Sequence, residues 1–185
     1  MNLTKITEQY PYLEEVTQCG SEAFPPEEYI EFPLQLKLSK TGEYDLLAIE
    51  EDGKFIGFFG LFKDETMAYL FYFAIAKAHR CKGYGSRALQ LLKEYYPHTI
   101  VVDFERVDEK YDNYRQRLHR RGFYMRNGFV PSGMYVNYLD MDFDLYVIGT
   151  WDAQHYCRLF QCASDLLSDI TGWTGFTFTL YPDKA

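Results

Sequence analysis

The chain has 185 residues, enough for one domain with a full core that needs no disulfide or metal staples. Hydrophobic residues make up 47% and charged residues 25%, which excludes an intrinsically disordered chain. A net charge of −8 argues against a nucleic-acid or anionic-membrane binder, while 17 Tyr and 15 Phe suit a strand-rich core or a stacked pocket.

The first residues lack the basic start and apolar run of a signal peptide. The longest apolar stretch, residues 55–62, is far short of the roughly 20 residues needed to span a bilayer. A soluble cytoplasmic protein is expected. Residues 7–39 read as helical with a break at Pro25-Pro26; Ser21 is a candidate cap, and the two prolines are tolerated in a first helical turn. Residues 44–49 and 54–62 read as strands joined through Asp52-Gly53, a strong hairpin signal, and a turn at 64–66 leads to a third strand, 67–76. Residues 83–96 follow as a helix with Ala88, Leu89, Leu91 and Leu92 on one face. Pro97 stops it, and residues 99–105 read as a buried strand. A second helix over 112–127 ends at Gly128, two strands flank Asp140 within 129–148, residues 152–169 are helical, and a last strand lies near 174–180. The four cysteines (Cys19, Cys81, Cys157, Cys162) show neither zinc nor disulfide spacing and read as buried free thiols, so no metal is expected.

Charge is unevenly spread. Residues 1–70 carry 5 basic and 14 acidic side chains, residues 71–130 carry 12 and 6, and residues 131–185 carry 2 and 7. A bound anion is expected in the basic middle. There a strand leads through Arg80-Cys81-Lys82-Gly83-Tyr84-Gly85-Ser86 into a leucine-rich helix. Glycines let a ligand approach the backbone, and the free N–H groups of a helix's first turn carry the positive end of its dipole. That pairing suits a pyrophosphate, with Arg80, Lys82 and Arg87 adding charge. The sequence contains neither GxxxxGK[ST] nor GxGxxG, since Ala88 stands where the third glycine would be.

Arg80-x-x-Gly83-x-Gly85 after an apolar strand resembles the coenzyme A pyrophosphate loop of the GNAT N-acetyltransferase superfamily, and residues 123–129 (FYMRNGF) are similar to that family's (L/F)-Y-x-x-x-G-F segment. The resemblance covers residues 1–148 and leaves 149–185 as a C-terminal helix-strand extension packed on the same domain. It implies an α/β (α+β) fold: a mixed, mostly antiparallel sheet with a splayed central strand pair and flanking helices. It also implies acetyl-CoA as co-substrate, held by Phe73, Ile75, Arg80, Cys81, Lys82, Gly83, Tyr84, Gly85 and Ser86, with Tyr124 as general acid toward the leaving thiolate. Where many members carry Asn and Ala ahead of the tyrosine, this chain has Arg117 and Arg120; where some place a Glu ten residues before the loop, it has Leu70.

The chemistry is then transfer of an acetyl group to a primary amine, with the backbone N–H of Ile75 polarising the carbonyl. Asp103 and Glu105 alternate to one face of their strand, where carboxylates are unusual, and are the candidate general bases; their alternative role is pairing with arginines. Some of the arginines at 115, 117, 120, 121 and 126 are expected to pair with Asp108, Glu109 and Asp112, and one to reach the coenzyme's phosphates, rather than to bind nucleic acid. Cys81 lies in the phosphate loop, away from the acetyl end, so direct transfer in a ternary complex is expected over an acetyl-cysteine. The acidic flanks favour a cationic small-molecule or peptide amine, and the aromatic tail is a candidate homodimer contact. A catalytically silent coenzyme A or acyl-CoA binding module is the alternative.

Overall fold

A computed structural model describes residues 1–26, 28–172 and 177–183. Strand β1 (Asn2–Lys5) is followed by helices α1 (Leu13–Ala23) and α2 (Phe32–Leu38), strands β2 (Tyr44–Glu51), β3 (Lys54–Lys63) and β4 (Met67–Ile75), and a 3-10 turn at Lys77–His79. Next come α3 (Tyr84–Tyr95), β5 (Thr99–Glu105), α4 (Tyr114–Arg126), β6 (Val130–Tyr138), β7 (Met141–Ile148), α5 (Ala153–Thr171) and β8 (Thr179–Pro182). The strands form one sheet in the order β1-β2-β3-β4-β5-β7-β6-β8, antiparallel at every step except β4–β5.

Local chemistry accounts for these elements. Asp52 and Gly53 both take left-handed backbone (φ +52° and +70°), the conformation that joins twisted strands by a two-residue turn. Both faces of β2 and β3 are buried, which explains their almost continuous apolar runs. One face carries α1, α2 and α5, which bury Val16, Leu38, Tyr156 and Phe160. The other carries α3 and α4, which bury Ala88, Leu89, Leu92 and Tyr124. Leu91, expected with them, is only half-buried at the margin.

The sheet opens in its middle. Strands β4 and β5 pair from Met67–Thr99 to Leu70–Val102 and no further. At that point a bulge in β4 slips its register with β3, so that Leu61 opposes Leu70 while Gly60 opposes Tyr72, leaving Phe71 as the extra residue. Beyond the bulge β4 follows β3 to Ile75 and β5 follows β7 to Glu105, so the two strands diverge into a wedge.

Several local expectations are corrected. The stretch read as helix over 7–39 holds only α1 and α2, because Pro25-Pro26 opens a loop rather than a first turn; Pro33, not Pro25 or Pro26, stands in the first turn of α2. Ser21 lies inside α1, its hydroxyl donating to the Gln18 carbonyl, and caps nothing. Asn2–Lys5 form an unforeseen edge strand. Of the cysteines, only Cys19 is buried; Cys81 and Cys162 are exposed and Cys157 is half-buried. In the C-terminal segment, α5 packs on α2, β3 and β4, and β8 pairs with β6. Residues 174–176 of the last expected strand lie outside the described residues. Among the described residues no helix is long and apolar enough to cross a membrane.

Candidate active site

The wedge between β4 and β5 is the floor of a cleft of about 540 Å³. Leu70–Phe73 line one side and Val102–Glu105 the other; Glu22, Phe24 and Glu28 cover one mouth, and Asn113, Gln116, Arg120 and Tyr124 of the α4 region cover the other. Tyr138, Leu139 and Phe143 close the end formed by β6 and β7.

The backbone of β4 faces this opening. Ala76 N–H donates to the Ile56 carbonyl (2.9 Å), so along the antiparallel ladder residues 74 and 76 spend their hydrogen bonds on β3. Phe73 and Ile75 therefore turn their N–H and C=O toward the side that β5 has vacated. The Ile75 carbonyl is met by Arg80 Nε (2.9 Å), while the Phe73 ring stacks on Phe59.

Past Ile75 the chain forms the basic loop. Cys81 and Gly83 both take left-handed backbone (φ +59° and +81°), which turns the chain sharply into α3. Among the described residues, the N–H groups of residues 81–86 find no protein acceptor. Six consecutive donors at a helix start can cradle an anion. A Cβ on Gly83 would meet nothing within 4 Å, so that position needs glycine for its φ rather than for space. A Cβ on Gly85 would lie 3.2 Å from the Phe123 ring, where α3, α4 and β4 converge. The side chains around the cradle are partly spoken for. Lys82 Nζ donates to the Ala78 carbonyl (2.8 Å), and Arg87, expected beside the phosphate, is drawn away into a bidentate pair with Glu51.

Asp103, Glu105 and Tyr124 all line the cleft. The two carboxylates differ sharply. Glu105 is held by Arg120, by Arg117 (3.5 Å) and by Asn113 Nδ2 (3.2 Å), and Arg117 also donates to Asn113 Oδ1 and stacks on Tyr111. Two of the α4 arginines, Arg117 and Arg120, thus pair with Glu105 rather than with the expected Asp108, whose ion-pair partner is Lys110 (2.9 Å). Asp103 has no cationic partner among the described residues; its Oδ2 accepts from the hydroxyls of Tyr69 and Tyr138, each at 2.8 Å. Burial pushes its carboxyl up to about 6, against the opposing pull of those two hydrogen bonds. The Tyr124 ring stacks on Phe104 (centroids 5.3 Å apart) and edges onto Phe129, while its hydroxyl makes no hydrogen bond among the described residues. Burial raises that phenol well above its ordinary value, with Arg120 pulling the other way, so the hydroxyl stays protonated throughout the neutral range.

Sequence reasoning missed Tyr69 and Tyr138. Strand parity offered a signal for the first: Tyr69 opposes Val101 across the β4–β5 pair, two residues and one pleat from Asp103 on the same face. Tyr138 comes from a strand 35 residues later and has no such local cue.

No curated protein sequence matches this chain. A solved structure from Bacteroides thetaiotaomicron assigned to the GNAT acetyltransferases is 26% identical, superposes with a TM-score of 0.69, and aligns over 94% of this chain and 100% of its own. An aminoglycoside 6'-N-acetyltransferase complexed with coenzyme A is 17% identical, with a TM-score of 0.61 over 82% of this chain and 100% of its own. A GNAT family acetyltransferase from Elizabethkingia anophelis with acetyl-CoA bound is 12% identical, with a TM-score of 0.53 over 80% of this chain and 97% of its own. The profile of the acetyltransferase (GNAT) family matches residues 9–129, and with the splayed sheet and glycine loop in place the chain belongs to that family.

Proposed function

We propose that the protein transfers an acetyl group from acetyl-CoA to a primary amine of a cationic small molecule, directly and in a ternary complex. The observation that carries this reading is the wedge itself: an open strand edge runs from the anion cradle to a carboxylate and a phenol in one cleft. Acetyl-CoA is the co-substrate. Its pyrophosphate fits the N–H groups of residues 81–86, and its pantetheine arm fits the vacated edge of β4 at Phe73 and Ile75, restoring the missing strand pairing.

Each remaining group then has a task. The Ile75 N–H donates to the thioester oxygen as negative charge grows there. Asp103 removes the proton of the incoming ammonium or of the attacking amine, directly or through a water, and its elevated pKa places it near the working range of a general base. Tyr124 gives its proton to the departing thiolate. Glu105 is engaged by two arginines and serves as the anchor of α4 rather than as the base. No cysteine, serine, lysine or histidine lines the cleft among the described residues, which supports direct attack by the amine over an acyl-enzyme.

Glu22 and Glu28, which line the same cleft as Asp103, favour a cationic acceptor on the α1 side. Aminoglycosides, which appear in the names of three of the structural neighbours, belong to that chemical class. The test is product formation by mass spectrometry with acetyl-CoA and a panel of cationic amines. N-acetylated product is expected from the native chain, and about 100-fold less from Asp103→Asn at pH 7. Full activity in Asp103→Asn would remove Asp103 from the mechanism.

A further inference from the structure

The cleft's base candidate sits in a setting that neither a loop motif nor a tyrosine motif explains. Asp103 projects from β5 between two phenols on different strands, Tyr69 of β4 and Tyr138 of β6, and both donate to the same oxygen, Oδ2, at 2.8 Å. The other oxygen, Oδ1, lies outside this pair. Both rings are backed by α5: Phe160 packs on Tyr69 (5.6 Å) and Tyr138 (5.5 Å), and Tyr156 edges onto Tyr69 (5.9 Å). Tyr138 is further stacked on Phe143 at 4.2 Å. Neither ring can swing without disturbing that packing, so the carboxyl plane is held from both sides.

We infer that Tyr69 and Tyr138 are positioning residues for the acetyl-transfer reaction, clamping Asp103 through Oδ2 so that Oδ1 receives the acceptor's proton, with α5 bracing the clamp. This rests on the reading of Asp103 as the base. The clamp gives the C-terminal helix, which lies beyond the matched family region of residues 9–129, a part in the chemistry.

The clamp has a second consequence. The charged and titratable groups that act on Asp103 or line its cleft are Tyr69 and Tyr72 from β4, Glu105 from β5, Tyr138 from β6, Tyr156 from α5, Arg120 and Tyr124 from α4, Glu22 from α1 and Glu28 from the loop after α1. Burial raises the Asp103 carboxyl, and Glu28 adds a smaller push in the same direction. The phenols of Tyr69 and Tyr138 favour its ionised form most, followed by the residue's own backbone N–H. Removing either hydroxyl therefore moves the carboxyl upward, toward neutral pH, and leaves less of the base in its active form. A hydrogen bond to a charged group corresponds to about one pKa unit or slightly more.

Tyr69→Phe and Tyr138→Phe, assayed separately in the full chain, test the clamp by two readouts. One is the acidic limb of the kcat/KM profile with acetyl-CoA and an accepted amine. The other is the titration of the Asp103 carboxyl carbon by NMR. In each variant both are expected to move up by about one unit, with a loss of about 5-fold in kcat/KM at pH 6 and little change in acetyl-CoA affinity. A carboxyl titration unmoved in both variants overturns the clamp. A carboxyl that moves while the kinetic limb stays fixed, or an Asp103→Asn variant with native kcat/KM, refutes instead the base reading on which the clamp depends.

Discussion

Replacing Tyr124 by Phe removes one hydroxyl and should leave the fold as it was. The ring is fixed by Phe104, stacked with 2° between planes, and by edge contacts from Phe123 and Phe129. None of these contacts uses the oxygen. The hydroxyl has no hydrogen-bond partner among the described residues, so its loss strands no buried group, and the stability change should stay below about 1 kcal/mol. For a chain of this size that is roughly 2–4 °C in Tm. The chemical effect is far larger if the phenol protonates the leaving thiolate, since general acid catalysis contributes about 10²–10⁴-fold. Turnover, followed as thiol release from acetyl-CoA at saturating amine, should fall by about 100-fold or more, while calorimetry shows native acetyl-CoA affinity. Native turnover in a folded Tyr124→Phe variant would refute the assignment.

Four further outcomes follow from the structure. Gly83→Asp puts a carboxylate into the anion cradle at a position with open space around the new side chain but left-handed backbone; acetyl-CoA affinity by calorimetry should fall at least ~10-fold. Glu105→Gln leaves the nearly buried Arg117 without its carboxylate and should cost about 3 kcal/mol in urea unfolding, with acetyl-CoA binding retained in the folded fraction. Asp103 binds its proton more tightly in the folded chain than the ordinary carboxylate value of the unfolded chain, so its ionisation costs stability: the penalty is absent below about pH 4 and complete above about pH 6. Asp103→Asn should therefore gain on the native chain by on the order of 2 kcal/mol between pH 4 and pH 7, and a constant difference across that range would contradict the elevated pKa. Asp152→Ala deletes the side chain that accepts from Gln154 N–H and His155 N–H at the start of α5, and should lower stability by about 1 kcal/mol.

The legible parts of the chain were those encoded over a few residues. Asp52-Gly53 fixed a hairpin because the turn needs two left-handed residues in a row. The β5 strand and the α3 helix followed from apolar runs bounded by Gly83, Pro97 and a charge-rich loop. Strand parity put Asp103 and Glu105 on one side and could not separate them, because their difference comes from partners distant in sequence: Arg117 and Arg120 of α4 for Glu105, Tyr69 and Tyr138 backed by α5 for Asp103. The edge strand Asn2–Lys5 escaped notice for a similar reason. Its four residues carry no strand signal of their own and are recruited by the Leu47–Glu50 edge of β2. The bulge at Phe71 was equally silent, since register is a property of two strands and the sequence of β4 records only one of them.

The most direct test of the whole account is label exchange run beside product formation. With isotopically labelled coenzyme A, unlabelled acetyl-CoA and no amine, direct transfer predicts no label in acetyl-CoA; adding an accepted cationic amine should then release thiol and N-acetylated product in equal amounts. Rapid exchange without amine would reveal an acyl-enzyme, and acetyl-CoA binding without amine-dependent thiol release across the panel would contradict the proposed transferase activity itself.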